Sequence, residues 1–497
     1  MRFRGPGSSA LLVAALLTSC GTTVPLSAQV QARDGLDAPG GAGSTTGAVQ
    51  STTGATTTGL TGTASGGGTG AGPVGSTGGS APSSVGGSTG ALTGPTQDHG
   101  PITIGVTYIN NDATSSALGV DSSSYTVSKK TVVQAMVRGI NATGGLGGRK
   151  LQAVEYEWNS QSNDWSNDAA QACATFTQDH HVAVVLDNAF GTIGGFRDCL
   201  QRAGVAVLES APEGDAVASA SARLHANTFG MTLDRAYTAV LTGLTGTGYV
   251  SRSSKLGVIV EACPEGSRAW SRTLRPLISR LGLAAPQEAT VNCTNGFAAA
   301  GTAASAVNND ILRFRGAGVD RVMFVSDNEA VLLLLFATSA DSQGYRPGYL
   351  LSSAAQAQGL RSQLPSGQQP ALHGAGWVTF GDVDGSALSA ADRECLRLVR
   401  AGRLTPGSYA DYSLMTFECG PFLLLRAALT AAHGVATAPA LIAAVASLGT
   451  GFAAPGVVDG ATRFDVSHHD APQLARVFGF VESCTCMHYS GRPFRVS

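Results

Sequence analysis

Charged residues are scarce in this chain. Asp, Glu, Lys and Arg make up 13% of its 497 residues, and the formal net charge is −2. Nucleic-acid-binding proteins need a basic surface to neutralise phosphates, so this composition excludes an electrostatic case for nucleic acid. From Asp98 onward the chain also lacks a Gly-x-Ser-x-Gly elbow, a His-Glu-x-x-His pair and a phosphate-binding loop,. Common sequence signatures of hydrolysis and of phosphate binding are therefore missing.

One long segment contains neither charge nor aromatic rings. Residues 38–97 consist mainly of Gly, Ser, Thr and Ala. Such a segment cannot bury enough apolar surface to offset the entropy that its ordering would cost. We therefore predict a disordered tether over residues 21–98, and a flexible coil of that length has a root-mean-square span on the order of 50 Å.

The N-terminus has a short apolar run where a membrane anchor would have a long one. Residues 10–17 (ALLVAALL) follow Arg2 and Arg4, and a run of that length cannot span a bilayer. A basic start and a short apolar core are typical of a signal peptide. The sequence LTSCG around Cys20 resembles the bacterial lipobox, whose cysteine is acylated. We predict a signal peptide over residues 1–20 and a lipid-anchored Cys20 on the extracellular face of the cell membrane; the alternative is an ordinary signal peptide with a chance cysteine.

The cysteine count agrees with export. Apart from Cys20 there are eight cysteines, and an even number in an exported chain indicates disulfides,. Eight cysteines allow 105 pairings, so the sequence leaves the connectivity open. Cysteines that are sequence neighbours on adjacent predicted elements favour three pairs: Cys173–Cys199, Cys263–Cys293 and Cys395–Cys419.

Cys484 and Cys486 remain after these three pairs. They could bond to each other or exchange with other disulfides. A metal site is the weaker alternative, because the chain has no second Cys-x-Cys pair.

Strand-like and helix-like segments alternate through the rest of the chain. Residues 102–108 alternate apolar and polar side chains as in a strand, and the apolar residues of segment 129–141 fall on one helical face,. Residues 182–186 are a continuous apolar run of the kind that buried parallel strands show. The same order returns in a helix at 232–244, strands at 256–260 and 321–325, and a helix at 329–342. This pattern predicts an α/β fold of two doubly wound parallel-sheet lobes with a cleft between them.

Four glycines punctuate the passage from the first helix to the next strand. In residues 141–151 (NATGGLGGRKL), Gly144 and Gly145 fit a left-handed helix cap, while Gly147 and Gly148 allow a tight turn,. The order helix-to-strand excludes a phosphate loop, which requires strand-to-helix.

With the helix before it, this segment closely resembles the glycine motif of the type I periplasmic binding proteins. The resemblance is to the branch that contains the leucine/isoleucine/valine-binding proteins of ABC importers, and it extends from about residue 101 to 480. It includes ITIGVTYI, VAVVLDNAFGT, LRFRGAGVDRVMFVSDNEA and ADYSLMTFECGPFLLLRAAL in the family's order. The resemblance implies two lobes joined by three crossover strands, with lobe 1 at 99–226 and 381–450 and lobe 2 at 227–380 and 451–497.

In that family a solute binds between the lobes, and first-lobe contacts follow two strands. The resemblance implies Asn188, Ala189 and Thr192 in the first loop, where a hydroxyl and backbone N–H groups hold a ligand carboxylate. Capping of the next helix is the alternative role for Thr192. Ser210 and Ala211 match the second loop. The opening loop contributes Tyr108 and Asn110, with Asn111 beside them.

The second lobe departs from the family's pattern. Where amino-acid binders often have Tyr-Gly, residues 261–266 read EACPEG. The acidic residue expected after the strand 348–351 is replaced by Ser-Ser-Ala. Asp327 could hold an ammonium instead, with Asn328 beside it, although Asp327 could simply cap a helix.

The resemblance implies a binding protein and no enzyme, cofactor or metal. We expect a small polar ligand, an amino acid or an amide, that is captured for an ABC permease. The alternative is a sensing or docking module of a membrane signalling system. Residues 468–470 (HHD) could suggest a metal, but we interpret them as a loop.

Overall fold

The first sheet of this protein is entirely parallel. The structure is a computed structural model that describes residues 100–110, 125–211, 213–221 and 223–496; the predicted signal peptide, Cys20 and the predicted tether lie outside this range. Within it, five strands pair in the order β2-β1-β3-β4-β5. They are β1 (Ile102–Ile109), β2 (Leu151–Trp158), β3 (Val184–Asp187), β4 (Ala206–Glu209) and β5 (His225–Asn227). All residues of β3 and β4 are buried, as their apolar runs predict,.

Helices cover both faces of the first sheet. Ile104 and Leu186 face one group of helices, whereas Val185 and Val207 face Phe176 and Phe196 on the other side. The helices from the first part of the chain are α1 (Lys129–Ala142), α2 (Trp165–Ala174), α3 (Phe196–Arg202) and α4 (Ala216–Ser221). Three later helices, numbered here in chain order, return to the same lobe: α12 (Ala390–Ala401), α13 (Tyr409–Ala431) and α14 (Ala438–Ser447).

The second sheet is mixed. In the described residues its order is β12-β11-β10-β9-β8-β6-β7, and the strands β6 to β10 are parallel. The last two strands form an antiparallel hairpin on β10, which the parallel-sheet prediction did not include. The strands are β6 (Leu256–Glu261), β7 (Gln287–Val291), β8 (Arg321–Val325), β9 (Gly348–Leu351), β10 (Leu372–Gly376), β11 (Leu474–Val481) and β12 (Cys486–Arg495).

The helices between these strands belong to the second lobe or to its edge. Pro276 lies in the first turn of α7, after a π-helical turn, and proline is tolerated in the first turn of a helix,. The helices are α5 (Leu233–Gly246), α6 (Pro264–Ala269), α7 (Arg275–Arg280), α8 (Phe297–Ala317), α9 (Glu329–Ser342), α10 (Ala357–Leu360) and α11 (Thr379–Asp382).

Three segments connect the two lobes, as predicted. They run from β5 to α5, from β10 to α12, and from α14 back to β11. They also pair with one another: Asn227 bridges Asp470, and Val378 bridges Val457. The α/β fold of two wound lobes with three crossovers is therefore confirmed.

The glycine motif forms the predicted turn. Helix α1 ends at Ala142, and Gly144, Gly145, Gly147 and Gly148 all have positive φ. A Cβ on Gly145 would lie 2.0 Å from the carbonyl oxygen of Arg149, so this position needs glycine for space as well as for its backbone angle,.

One helix among the described residues, α13, is long and apolar enough to cross a membrane by length and composition. However, 72% of its most apolar window is buried within the protein. Its side chains Phe422 and Leu424 lie in the core of the first lobe together with Met136 of α1. The structure therefore explains its apolar character by burial in the core.

Among the described residues, four disulfides tie neighbouring elements together. Cys173–Cys199 joins α2 to α3, Cys263–Cys293 joins the segments that follow β6 and β7, and Cys395–Cys419 joins α12 to α13. These are the three pairs that the order of elements favoured. The remaining pair, Cys484–Cys486, closes the turn of the hairpin β11–β12.

Candidate functional site

A cavity of about 210 Å³ lies between the two lobes. Its first-lobe wall includes Trp165, Phe190 and Thr192. Its second-lobe wall is formed by residues at and directly after the ends of β6 and β8, chiefly Glu261, Cys263, Glu265, Ser326, Asp327 and Asn328. In α/β sheets ligands bind outside the carboxyl ends of the strands, and this cavity lies at such ends in both sheets.

In the first lobe, the loop after β3 is held by a carboxylate of its own. Asp187 is fully buried and accepts hydrogen bonds from the backbone N–H groups of Ala189, Phe190 and Gly191, at 3.1, 3.0 and 2.8 Å. The resemblance assigned N–H groups of this loop to a ligand carboxylate. Asp187 occupies three of them, so a ligand carboxylate would have to displace it.

Two buried acidic side chains accept hydrogen bonds from corresponding donors in the second lobe. Glu261 accepts the backbone N–H of Thr294 at 2.7 Å and the hydroxyl of Ser326. Glu329 accepts the backbone N–H of Ser352 at 3.1 Å. The strand ends are thus organised by buried acidic side chains, each bound to backbone amides.

Asp327 and Thr192 meet across the cleft. The Thr192 hydroxyl lies 3.5 Å from a carboxylate oxygen of Asp327, so the two lobes contact each other here. Burial, together with the nearby Glu261 and Glu265, raises the pKa of Asp327 to about 7. A carboxyl group with that pKa can gain or lose its proton near neutral pH when a ligand binds.

The helix-capping alternatives for these two residues do not match the described contacts. Thr192 precedes a short 3₁₀ turn without a side-chain capping bond. The residue at the N-cap of α9 is Asn328 rather than Asp327, and its side chain makes no capping bond either. The side chains of Thr192, Asp327 and Asn328 therefore face the cavity without a described capping role.

Asn188 and Ser210 belong to a buried network behind the cavity. Ser210 donates its hydroxyl to the side-chain oxygen of Asn188 at 2.8 Å, and Asn188 donates its amide to Glu418 of α13. Lys129 lies 3.7 Å from the same carboxylate. Burial raises the pKa of Glu418 to about 7 although Lys129 opposes the rise. The polar groups of Asn188 and Ser210 thus bind within the lobe.

The other predicted site residues do not line the cavity. Tyr108 donates its hydroxyl to Glu155 at 2.9 Å, and Asn110 donates its amide to Glu157 at 2.7 Å. Ala189 and Ala211 are buried, and the Ala211 carbonyl accepts the side-chain amide of Asn227. Asn111 lies outside the described residues.

The structure therefore places Thr192, Asp327 and Asn328 at one cavity. It also places there residues that the family resemblance did not assign to the site. Glu261 ends a buried strand, a position at which it could have been expected to reach the cleft,. Trp165 begins a helix distant in sequence from the other cavity residues. Its place beside a polar loop, with Trp158 on the other side, was compatible with shielding the cleft or with simple packing, and it lines the cavity.

A second cluster of ionisable groups is charge-balanced by itself. Arg197, Glu209, Glu213 and His225 are buried and in mutual contact. Burial alone would lower the pKa of His225, but Glu213 and Glu209 raise it to about 9. Arg197 and His225 thus face the two acidic side chains, which is a structural ion network.

The histidines of segment 468–470 are also engaged. His468 lies 3.2 Å from Asp465, and His469 lies 2.8 Å from the carbonyl oxygen of His225. Asp470 binds Arg235 at 2.7 Å. This segment is one of the paired crossovers described above, and its contacts are structural.

No protein-family model matches the chain, and no curated protein matches its sequence. Solved structures do match. A possible leucine/isoleucine/valine-binding protein from Rhodopirellula baltica SH 1 aligns with 79% of this chain and 97% of its own, at 13% identity and a TM-score of 0.57. A fatty acid ABC transporter substrate-binding protein from Thermomonospora curvata aligns with 80% and 93%, at 17% identity and a TM-score of 0.55.

A third structure is an ABC transporter solute-binding protein from R. palustris in complex with 4-hydroxybenzoate. It covers 80% of this chain and 97% of its own, at 12% identity and a TM-score of 0.57. At these identities the likeness establishes the fold: this chain has the type I periplasmic binding protein fold.

Proposed function

We propose that this protein is an extracellular solute-binding lipoprotein that captures a small polar ligand for an ABC importer. The observation that carries the proposal is the cavity between the lobes, where Thr192 meets Asp327. A cleft that closes about a hinge excludes water and strengthens each polar contact to the guest. Solute capture of this kind requires no covalent chemistry.

Ligand binding is expected to stabilise the protein measurably. A ligand present at 100 times its dissociation constant adds about 2.7 kcal/mol to the free energy of unfolding. Thermal unfolding of the full chain should therefore shift upward with at least one member of a panel of amino acids, amides, amines, sugars and nucleosides. Thr192→Phe should fill the cavity and abolish the shift.

Thr430→Phe is the matched control, because the same change is made on the exposed last turn of α13. It should leave the ligand-induced shift unchanged. A panel without any shift, or a shift that survives in Thr192→Phe, would argue against the cavity as a solute site.

We also propose that Cys20 anchors the protein in the bilayer and that residues 21–98 space the binding lobes from it. A palmitate analogue fed to the producing cells should label the wild-type chain, which should remain in the membrane fraction. Cys20→Ala should lose the label and be released, since acyl chains contribute about 0.8 kcal/mol per buried CH₂ to membrane binding. A labelled or membrane-bound Cys20→Ala chain would contradict this anchor.

A further inference from the structure

The walls of the interlobe cavity carry charge of one sign. Glu261, Glu265 and Asp327 line it, and no Lys, Arg or His is among the described lining residues. A low-dielectric cleft lined by one sign of charge concentrates ligands of the opposite sign. The cavity therefore favours cations over anions.

The nearest cations do not reverse this sign. Arg268 binds Asp215 through two contacts of 2.8 and 3.0 Å and lies 3.8 Å from Glu265. Arg197 is held between Glu209 and Glu213. Each guanidinium is thus committed to carboxylates of the protein.

The donors that could hold an anion are occupied as well. The amides of residues 189–191 bind Asp187, the amide of Thr294 binds Glu261, and the amide of Asn328 binds the hydroxyl of Ser326 at 2.7 Å. A ligand carboxylate would meet three acidic side chains and few free donors, and burying a charge without a partner is costly.

Asp327, in contrast to these occupied donors, has no cation in ion-pair contact among the described residues. Its described hydrogen bond is the 3.5 Å contact with the neutral Thr192 hydroxyl. No ion pair of Asp327 or Glu261 with Lys, Arg or His occurs in the described part of the chain, although Glu261 is 1% exposed. Two acidic groups beside one cavity therefore make no ion pair in the described part of the chain.

We infer that the cleft binds a small organic cation, an amine or a guanidinium compound, that has no carboxylate. The inference rests on the proposed solute-binding function and specifies its ligand class. The cavity of about 210 Å³ lies below the range of roughly 300–1,000 Å³ that is typical of pockets for drug-sized ligands, so the guest is small. Trp165 and Phe190 supply aromatic wall surface, which suits the cationic group or its apolar body.

Matched ligand pairs test the class directly. Each pair compares an amino acid with its decarboxylated amine: leucine with isopentylamine, tyrosine with tyramine, and arginine with agmatine. Calorimetric titration of the full chain at pH 8 should give tighter binding for at least one amine, by about tenfold or more, than for its amino acid.

Asp327→Asn identifies the group that recognises the cation. The variant should weaken binding of the preferred amine about tenfold or more, because it removes a charge-assisted hydrogen bond. Asp320→Asn makes the same change at the other end of β8, where the side chain is half exposed. That variant should bind the amine like the wild type.

The dependence on pH provides a second readout. Asp327 faces Glu261 and Glu265 from the second lobe and Glu213 and Arg197 from the first. Since its pKa is raised to about 7, an amine must compete with the proton below that pH. Amine affinity should rise between pH 6 and 8 in the wild type and rise much less in Asp327→Asn.

The outcomes separate this inference from the proposed function. Tighter binding of the amino acids, or of 4-hydroxybenzoate, would retain a solute-binding protein and overturn the cation class. Equal amine affinity in Asp327→Asn and the wild type would overturn the assignment. If no compound of any class binds, the proposed function fails together with the inference.

Discussion

The free energy of unfolding is expected to fall as the pH is raised from 5 to 8, because two carboxyl groups are buried in the second lobe without a cation. Burial raises the pKa of Glu329 to about 8, and that of Asp382 to about 7, against the hydrogen bonds that each accepts. Glu329 accepts bonds from Ser352, whereas Asp382 accepts bonds from Ser353 and Tyr489.

The sign follows from the protons that each state binds. Between about pH 4.5 and 8 the unfolded chain has lost these protons, but the folded chain still holds them. Stability therefore declines with rising pH across this window and is greatest at its acidic end. At about 1.4 kcal/mol for each unit of pKa difference, the two groups together amount to several kcal/mol.

Urea unfolding at pH 5, 6, 7 and 8 measures this slope. Glu329→Gln should make the slope shallower, because the amide cannot ionise. Glu482→Gln is the matched control on the exposed turn between β11 and β12, and it should keep the wild-type slope. Identical slopes in the wild type and Glu329→Gln would show that Glu329 is ionised in the folded protein at neutral pH.

Gly139→Ala is expected to destabilise the protein strongly, although alanine favours helices. Helices α1 and α12 touch through their backbones: a Cβ on Gly139 would lie 1.9 Å from the carbonyl oxygen of Leu398. A Cβ on Gly402 would lie 1.9 Å from the carbonyl oxygen of Ala135. Neither contact can be relieved by turning a flexible side chain, so the helices must separate.

Overpacking of a core costs roughly 1–3 kcal/mol, and a clash with backbone belongs at the upper end or above it. The loss of stability that chemical denaturation of Gly139→Ala measures should equal this overpacking cost minus the helix-propensity gain of about 1 kcal/mol. Gly301→Ala on α8 is the control, because nothing lies within 4 Å of its Cβ position. It should be neutral or slightly stabilising. Equal stability of the two variants would mean that α1 and α12 are farther apart.

Local patterns predicted the fold well. The buried strands β3 and β8 are apolar runs, and the glycine turn after α1 needs only neighbouring residues. The order of strands and helices then restricts how a parallel sheet can be wound. The hairpin β11–β12 was not predicted, because the direction of a strand depends on the connection between neighbouring strands and apolar periodicity does not encode it.

The candidate site was predicted only in part. Thr192 and Asp327 follow strands of different lobes, 135 residues apart in sequence. They were identified because the resemblance implies ligand contacts directly after strands of both lobes. The same reasoning selected Asn188, yet its amide binds Glu418, 230 residues away. No residue near Asn188 in the sequence indicates that Glu418 is its partner.

By itself, the amino-acid sequence determined the two-lobed α/β architecture, because hydrophobic periodicity and glycine backbone angles are local properties. Only the tertiary structure decided which polar groups remain available to a ligand. That availability depends on hydrogen-bond partners such as Asp187 for the loop after β3 and Glu329 for Ser352. The sequence around a hydrogen-bond donor does not show whether the donor is free or already bound to an acidic side chain of the same chain. Its occupancy is therefore a property of the folded protein.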